Sequence, residues 1–573
     1  MCGIAGVSLK KKNLIFLKRF SKIIDHLAHR GPDSHGIYEK ENVKLIHTRL
    51  SIVDIDGGAQ PIKNEGLVLI ANGEIYNDLL IRKETKKYKY KTKSDSESIL
   101  AVYKEYGIEG FKKLRGMFSF AIYDEKKNVT ILGRDLFGIK PLYFSLMNEG
   151  IVFSSEIQSI KKTNLQNLNI SENQLLEFFQ LQYCSGKKTI FKEIQRVRPG
   201  EIIVIKDGKI TISEINNLPK KKENYLRIDD DFIFKNVKES VEVHLRSDVP
   251  YCLFYSGGID STLIMYFMKI LNLNKKICAY SVNFVSDEKK YNHSIKSIAN
   301  RFNIEFNQIN FKEEDFWSLL PFAAKNIDEP IADYAILPTF KMASEASKNF
   351  KVALSGEGGD ELFAGYGRYK SLKNRYKGAF RKMKFLRQKN WDFSLKKSMN
   401  LNSELSKLQS FQYFDYLNWL PNNLLVKLDR CLMAYGMEGR TPLIDKKLFA
   451  KFFYLDDKFK QKKGYGKYLI RSFLRNKIKN YNSFSKKKGF TLPIEYWIPK
   501  KSKYLEEFLP KNEILKIFFN EDEIRFICRN AINNKKMIRP LWHMIFISIW
   551  YLVNIKKVRT NGNFFDIISN VNK

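Results

Sequence analysis

The spacing of apolar positions divides the chain into two unlike parts. Gly3-Ile4-Ala5-Gly6-Val7 reads as a strand of small and apolar residues, and residues 47–54 alternate as a half-buried strand does, with a cationic side chain on one face. Beyond residue 230 the pattern changes. Residues 250–255 form an apolar run of strand length, and residues 262–271 follow with a helical period. Strand-like runs at 276–284 and 304–311 alternate with helical patterns at 291–303 and 337–349, and residues 351–354 make a further short buried strand. That order predicts a parallel sheet flanked by helices. Turn-forming and charged residues collect between the two parts: Lys-Asp-Gly-Lys at 206–209, Asn216-Asn217, Pro219 and Lys220-Lys221-Lys222. The expected organisation is a domain at 1–205, a linker at 206–230 and a domain at 231–573. Residues 540–555 are the most apolar segment, yet they include His543, Ser548 and Asn554 and fall short of the ~20 residues of a spanning helix. A buried helix is expected there, and no internal repeat is visible.

Composition narrows the class. At 573 residues the chain can build two cores, and 44% hydrophobic with 14% aromatic residues excludes a disordered scaffold. The six cysteines, at 2, 184, 252, 278, 431 and 528, show no Cys-x-x-Cys or metal-ligand spacing. They point to a reducing compartment, and with no hydrophobic signal region before Lys10-Lys11-Lys12 the expected location is cytoplasmic. Lys plus Arg number 99 against 62 acidic residues, a net charge of +37, which attracts polyanions or an anionic surface without sequence specificity. The charges are dispersed in short runs such as Lys10–12, Lys220–222 and Lys486–488, with no recognition-helix or RNA-binding signature, so no specific nucleic acid is expected.

Candidate chemistry starts at Cys2. Removal of Met1 leaves one residue holding a thiol and a free α-amine, with ordinary pKa values near ~8.5 and ~7.7–8.0, so the amine can take the thiol proton without a histidine. Position alone favours an ordinary small buried cysteine, so the case depends on the strand-like run of small residues that follows, Gly3-Ile4-Ala5-Gly6-Val7. Arg49 has the geometry to hold a carboxylate through two parallel hydrogen bonds, although taken alone it reads as a surface arginine. Asn72-Gly73 sets an amide donor beside a glycine N–H, as an oxyanion hole requires or as a hairpin turn prefers. Ser94-Asp95-Ser96-Glu97 offers a carboxylate for an ammonium group, or a helix cap. In the second part, Ser256-Gly257-Gly258-Ile259-Asp260-Ser261 joins a strand to a helix and presents backbone N–H groups to a phosphate; it lacks the Gly-Lys-Ser/Thr ending of a P-loop. Ser355-Gly356-Glu357-Gly358-Gly359-Asp360-Glu361 follows a short strand and gathers carboxylates suited to Mg²⁺ or to solvent.

Together with Gly58-Ala59-Gln60-Pro61, Gly133-Arg134-Asp135, 138–143 and Ser154-Ser155-Glu156, the N-terminal segments resemble the class II glutamine amidotransferases in order and spacing. The hexapeptide at 256–261 resembles the pyrophosphatase-type loop of adenylating enzymes. With the loop at 355–366, Asp328-Glu329-Pro330, Ala332-Asp333, Leu428-Asp429-Arg430, 438–445, Gly466-Lys467 and 488–493, it resembles the asparagine synthetases over nearly the whole chain. The resemblance implies an αββα sandwich of the N-terminal nucleophile hydrolase type, classed α+β, followed by an α/β parallel-sheet adenylating domain. It implies Cys2 as nucleophile, Asn72 and Gly73 as oxyanion hole, and Arg49, Asn72, Glu74 and Asp95 as glutamine-binding residues. It further implies ATP at Ser256, Gly257, Gly258, Asp260, Ser261, Val282, Ser355, Gly356 and Lys467, Mg²⁺ at Asp260 and Asp360, and catalysis by Glu357. The implied activity is glutamine-dependent amidation of L-aspartate through an acyl-adenylate, and a homodimer is compatible with it.

The acceptor is less determined. Some asparagine synthetases carry Thr-x-Arg before the mid-domain proline, where this chain has Ala332-Asp333-Tyr334-Ala335-Ile336-Leu337-Pro338. That departure resembles a second branch whose members include enzymes amidating other carboxylates, such as uronic acids of surface polysaccharides. From another class, a basic polyanion-binding protein with an inactive synthetase fold is disfavoured by the complete set of motif residues.

Overall fold

The computed structural model describes residues 2–215, 218, 227–273, 276–284, 290–371, 378–380, 405–485 and 492–571. Met1, Asn216, Asn217, Pro219, the lysine runs at 220–222 and 486–488, and most of the 488–493 motif lie outside these residues. The N-terminal part contains two six-stranded sheets. One runs, in spatial order, Ile194–Arg196, Tyr143–Leu146, Gly150–Ser154, Gly3–Leu9, Val43–Arg49 and Ser34–Lys40. The other runs Lys209–Ile215, Glu201–Lys206, Val129–Arg134, Gly116–Asp124, Leu67–Ile75 and Ile62–Asn64. All their pairings are antiparallel.

Successive strand residues face opposite sides, so each strand serves two cores. Ile4 packs between the sheets with Leu45, Val68, Ala121 and Ile203. Its neighbours Ala5 and Val7 pack outward on Phe16 and Leu17 of the helix Leu14–Phe20. On the second sheet Leu69 and Phe120 pack outward on Ile99 and Val102 of the helix Glu97–Tyr106. The result is helix, sheet, sheet, helix. The alternation seen at 47–54 covers only the end of a strand, because Val43–Arg49 stops at Arg49.

The expected linker requires a correction. Lys209–Ile215 pairs with Glu201–Lys206, so the sheet passes residue 205 and enters the segment 206–230. Lys206-Asp207-Gly208-Lys209 is a hairpin rather than a boundary: Asp207 and Gly208 have φ of 50° and 65°, the left-handed pair that a tight two-residue turn requires. The far end of the segment enters the helix Asp230–His244, capped by Asp229.

The second part is built on a five-stranded sheet ordered Ile304–Phe311, Ile277–Phe284, Tyr251–Phe254, Val352–Leu354 and Glu438–Arg440, every pair parallel. From Tyr251–Phe254 the chain builds outward on one side, then returns to add Val352–Leu354 on the other. Connections leaving these two neighbouring strands diverge at their carboxyl ends and open a crevice there. The apolar segment becomes the buried helix Ile538–Asn554, whose Trp542 and Trp550 Nε1–H groups donate to the Ala332 and Ile327 carbonyls at 2.8 Å each. No helix among the described residues is long and apolar enough to cross a membrane.

Candidate active sites

Cys2 leads into the strand Gly3–Leu9, where Gly3 N–H donates to Thr48 Oγ1 at 3.2 Å. Its own N–H donates to Asn72 Oδ1 at 2.9 Å and its carbonyl accepts from Arg30 Nε at 3.2 Å. Burial raises the Cys2 thiol above its ordinary value, while a hydrogen bond from the Leu50 backbone and the Arg49 guanidinium pull it back. Asn72 lies inside the strand Leu67–Ile75, paired with Ser119, so Asn72-Gly73 is not a hairpin turn. Asn72 Nδ2 is buried without a hydrogen-bond partner among the described residues. Gly73 has φ of 144°, and a Cβ there would lie 1.9 Å from the Met117 carbonyl oxygen. No other residue fits.

The remaining N-terminal candidates are held by the same strand end and by the loop after Arg49. Asp95 Oδ2 accepts the Ile75 N–H at 2.6 Å, and burial together with Asp78 pushes its carboxyl up to about 6. Glu74 is buried, its carboxyl raised by burial and by Asp95, with Oε2 3.1 Å from Arg440 Nη2 of the second domain. Arg49 donates to the Ile55 and Asp54 carbonyls at 2.8 and 2.6 Å. A side chain at Gly58 would strike its Nη2 at 2.7 Å.

The second site is a cavity of about 1040 Å³ in the crevice of the parallel sheet, lined by the loops that follow Tyr251–Phe254 and Val352–Leu354. Gly257 (φ 69°) turns the first loop into the helix Ile259–Leu271, and Ser256 Oγ lies 3.1 Å from Ser261 Oγ. Val282, Ser355, Gly356 and Glu357 line the same space. Lys467 bridges the loops, pairing with Asp260 and lying 2.6 Å from Asp360. Burial would lower this ammonium, and Asp260 and Asp360 outweigh it, holding Lys467 above the usual lysine value. A Cβ on Gly365 would fall 2.1 Å from Lys467 Cε, so that glycine makes room for the bridge. Among the described residues no cluster of three His, Cys, Asp or Glu side chains is arranged around a cation position.

Three residues given no role by the sequence reading stand in these sites. Lys427 Nζ lies 3.3 Å from both Glu357 and Asp333 inside the cavity. Asp429 pairs with Arg30, and Arg440 pairs with Glu74. Lys427, Asp429 and Arg430 are charges within Leu425–Met433, a helix buried along its whole length. A charge at a core position marks a paired or functional group, and that was the available signal.

The arrangement combines a buried thiol beside an unpartnered amide donor in one domain with a cation-bridged, glycine-lined crevice in the other. A family model for the glutamine amidotransferase domain matches residues 1–216, and one for asparagine synthase matches residues 234–552. The chain is similar to asparagine synthetase (glutamine-hydrolyzing) 1 of Bacillus subtilis, at 30% identity over 97% of each chain. It is also similar to a putative asparagine synthetase (glutamine-hydrolyzing) 2 of Methanocaldococcus jannaschii, at 31% identity over 70% of this chain and 82% of that one. Asparagine synthetase B of Escherichia coli is 28% identical over 78% of this chain and 74% of its own. With both halves matched and nearly the full length covered, the chain belongs to the asparagine synthetase family of ATP-using ligases and carries a glutamine amidotransferase domain at its N-terminus.

Proposed function

We propose that this enzyme releases ammonia from glutamine at Cys2 and uses it to convert L-aspartate into asparagine through an acyl-adenylate, with glutamate, AMP and pyrophosphate as the other products. After removal of Met1, the α-amine takes the thiol proton and the thiolate attacks the glutamine amide carbon. Asn72 Nδ2 and the Gly73 N–H stabilise the oxyanion, and the amine returns its proton as ammonia departs. Water then cleaves the thioester to glutamate and the free thiol. Arg49, Glu74 and Asp95 hold the amino-acid end.

In the second domain the loops at 256–261 and 355–360 take the nucleotide phosphates, with Val282 beside the nucleotide. The acceptor carboxylate attacks the α-phosphorus, pyrophosphate leaves toward Lys467, and ammonia then displaces AMP while Glu357 accepts a proton. Asp260 and Asp360 fit a magnesium ion carried with ATP, because both are hard oxygen donors that already share one cation, the Lys467 ammonium. Such an ion supplies countercharge to the phosphates. The observation that carries the proposal is the convergence of both loops on one cavity across Lys467. Incubation with glutamine and MgATP against a panel of carboxylates tests it. AMP and asparagine should appear with aspartate; an amide formed only from a uronic acid would move the acceptor to that class.

A further inference from the structure

The acids and bases of the N-terminal site do not balance within their own domain. Arg30 is fully buried, and its Nε holds the Cys2 carbonyl. Its two Nη atoms grip Asp429 of the second domain at 2.8 and 3.0 Å, while Nη1 also reaches Glu156 at 2.8 Å. Burial pushes the Asp429 carboxyl up, and Arg30 overrides it, leaving Asp429 below the usual carboxylate range. A second crossing lies on the glutamine side. Glu74 pairs with Arg440, which is itself fixed by Glu438 at 2.6 Å and by the His244 carbonyl at 2.8 Å. Asp78, whose charge bears on Asp95, pairs with Arg246, also of the second domain.

We infer that Asp429 and Arg440 of the synthetase domain are positioning residues of the glutaminase site, so that glutamine hydrolysis needs that domain even when it turns over no ATP. This rests on Cys2 being the nucleophile. Once Met1 is removed, Cys2 is a chain terminus, fixed by its strand, by Asn72 and by Arg30. The Arg30 contact sets the Cys2 carbonyl, hence the direction of its Cα–Cβ bond and thiol. Asp429 keeps Arg30 in place through two parallel hydrogen bonds, a geometry that fixes the guanidinium plane. Arg440 plays the corresponding part for Glu74: its guanidinium fixes Glu74 Oε2 at 3.1 Å and opposes the burial and the Asp95 charge that already raise this carboxyl, so without it Glu74 loses both its orientation and its countercharge as an ammonium ligand. The two contacts act on different steps. Loss of Asp429 misplaces the nucleophile and lowers kcat, whereas loss of Arg440 weakens glutamine binding and raises KM.

The test uses the full chain and measures, on the same samples, glutamate release without ATP, ammonia-dependent AMP formation and unfolding temperature. Asp429→Asn should lower glutaminase kcat by about 10²-fold, the cost of a small misplacement of a reacting group, and leave ammonia-dependent AMP formation within about twofold of the parent, well under a tenfold step. Arg440→Gln should raise glutamine KM on the order of tenfold, and Arg440→Lys should recover most of that loss. If Asp429→Asn does not fold, the Arg440 pair decides alone. Parental glutaminase constants in both Asp429→Asn and Arg440→Gln overturn the inference, and so does a parallel fall in both activities, which would make the contacts structural. Cys2→Ala serves as a separate control: glutamine hydrolysis surviving in it would overturn the nucleophile assignment itself.

Discussion

Two single residues give the sharpest expectations at the N-terminal site. Burial, and then the Asp78 charge, push the Asp95 carboxyl up to about 6. Its carboxylate is available to an α-ammonium above that pH and lost below it. Glutamine KM should therefore climb as pH falls through about 6, approaching tenfold per unit, and Asp95→Asn should flatten the profile; a parental KM that stays level down to about pH 5 would remove Asp95 from the binding set. Gly73→Ala places a Cβ against the Met117 carbonyl and strains a φ of 144°. Glutaminase turnover should drop by about 10²–10³, the loss expected when one oxyanion donor is displaced, with ammonia-dependent amidation retained. Rates for the two nitrogen donors, measured side by side, check it. At this scale chemistry alone left Cys2 and Asn72-Gly73 open between a site and a buried cysteine or a hairpin turn, and only the resemblance in motif order singled them out; the structure removes the hairpin, since Asn72 lies within the strand Leu67–Ile75. Lys427 was not legible in the sequence, since one lysine in a lysine-rich chain carries no mark of burial until the helix Leu425–Met433 is seen to be enclosed.

Elements decide the second site. Tyr251–Phe254 and Val352–Leu354 are neighbours in the sheet, with Tyr251 opposite Val352, although about a hundred residues separate them in sequence. Their following loops thus meet at the crevice, and Lys467, at the N-terminal end of the helix Tyr468–Lys477, closes on both. Asp260→Asn and Asp360→Asn should each sharply reduce pyrophosphate release at saturating magnesium while leaving glutamine hydrolysis at its parental rate, because each removes one charge from the same place. Parental pyrophosphate release in both variants would exclude them from that role. The strand, loop and helix of the first motif, and the short strand before the second, could be read from apolar period and glycine position; the helical turn Gly359–Leu362 inside the second was not. The adjacency of the two strands could not, since strand order depends on long-range pairing. The hairpin at 206–209 was misread for a related reason: turn residues mark a reversal of the chain whether the next segment returns to the sheet or leaves the domain.

At the scale of the whole molecule, the interface and the charge are the features that local sequence leaves open. Arg30 and Asp429 are 399 positions apart, so nothing near either one announces their pairing. The net charge of +37 fills no role in either site. It should give weak polyanion binding that collapses between about 50 and about 200 mM salt, as release of roughly six or more counterions requires; tight, sequence-selective binding that persists at high salt would point to a second function. The central claim is that nitrogen freed at Cys2 reaches an adenylate made in the other domain. Its most direct test is a reaction of the Met1-processed enzyme with glutamine labelled at the amide nitrogen, MgATP and aspartate, in parent and Cys2→Ala. The account predicts labelled asparagine formed mole for mole with AMP in the parent, and in Cys2→Ala no transfer from glutamine but continued asparagine formation from added ammonia. Labelled asparagine from Cys2→Ala, or ADP in place of AMP, would contradict it.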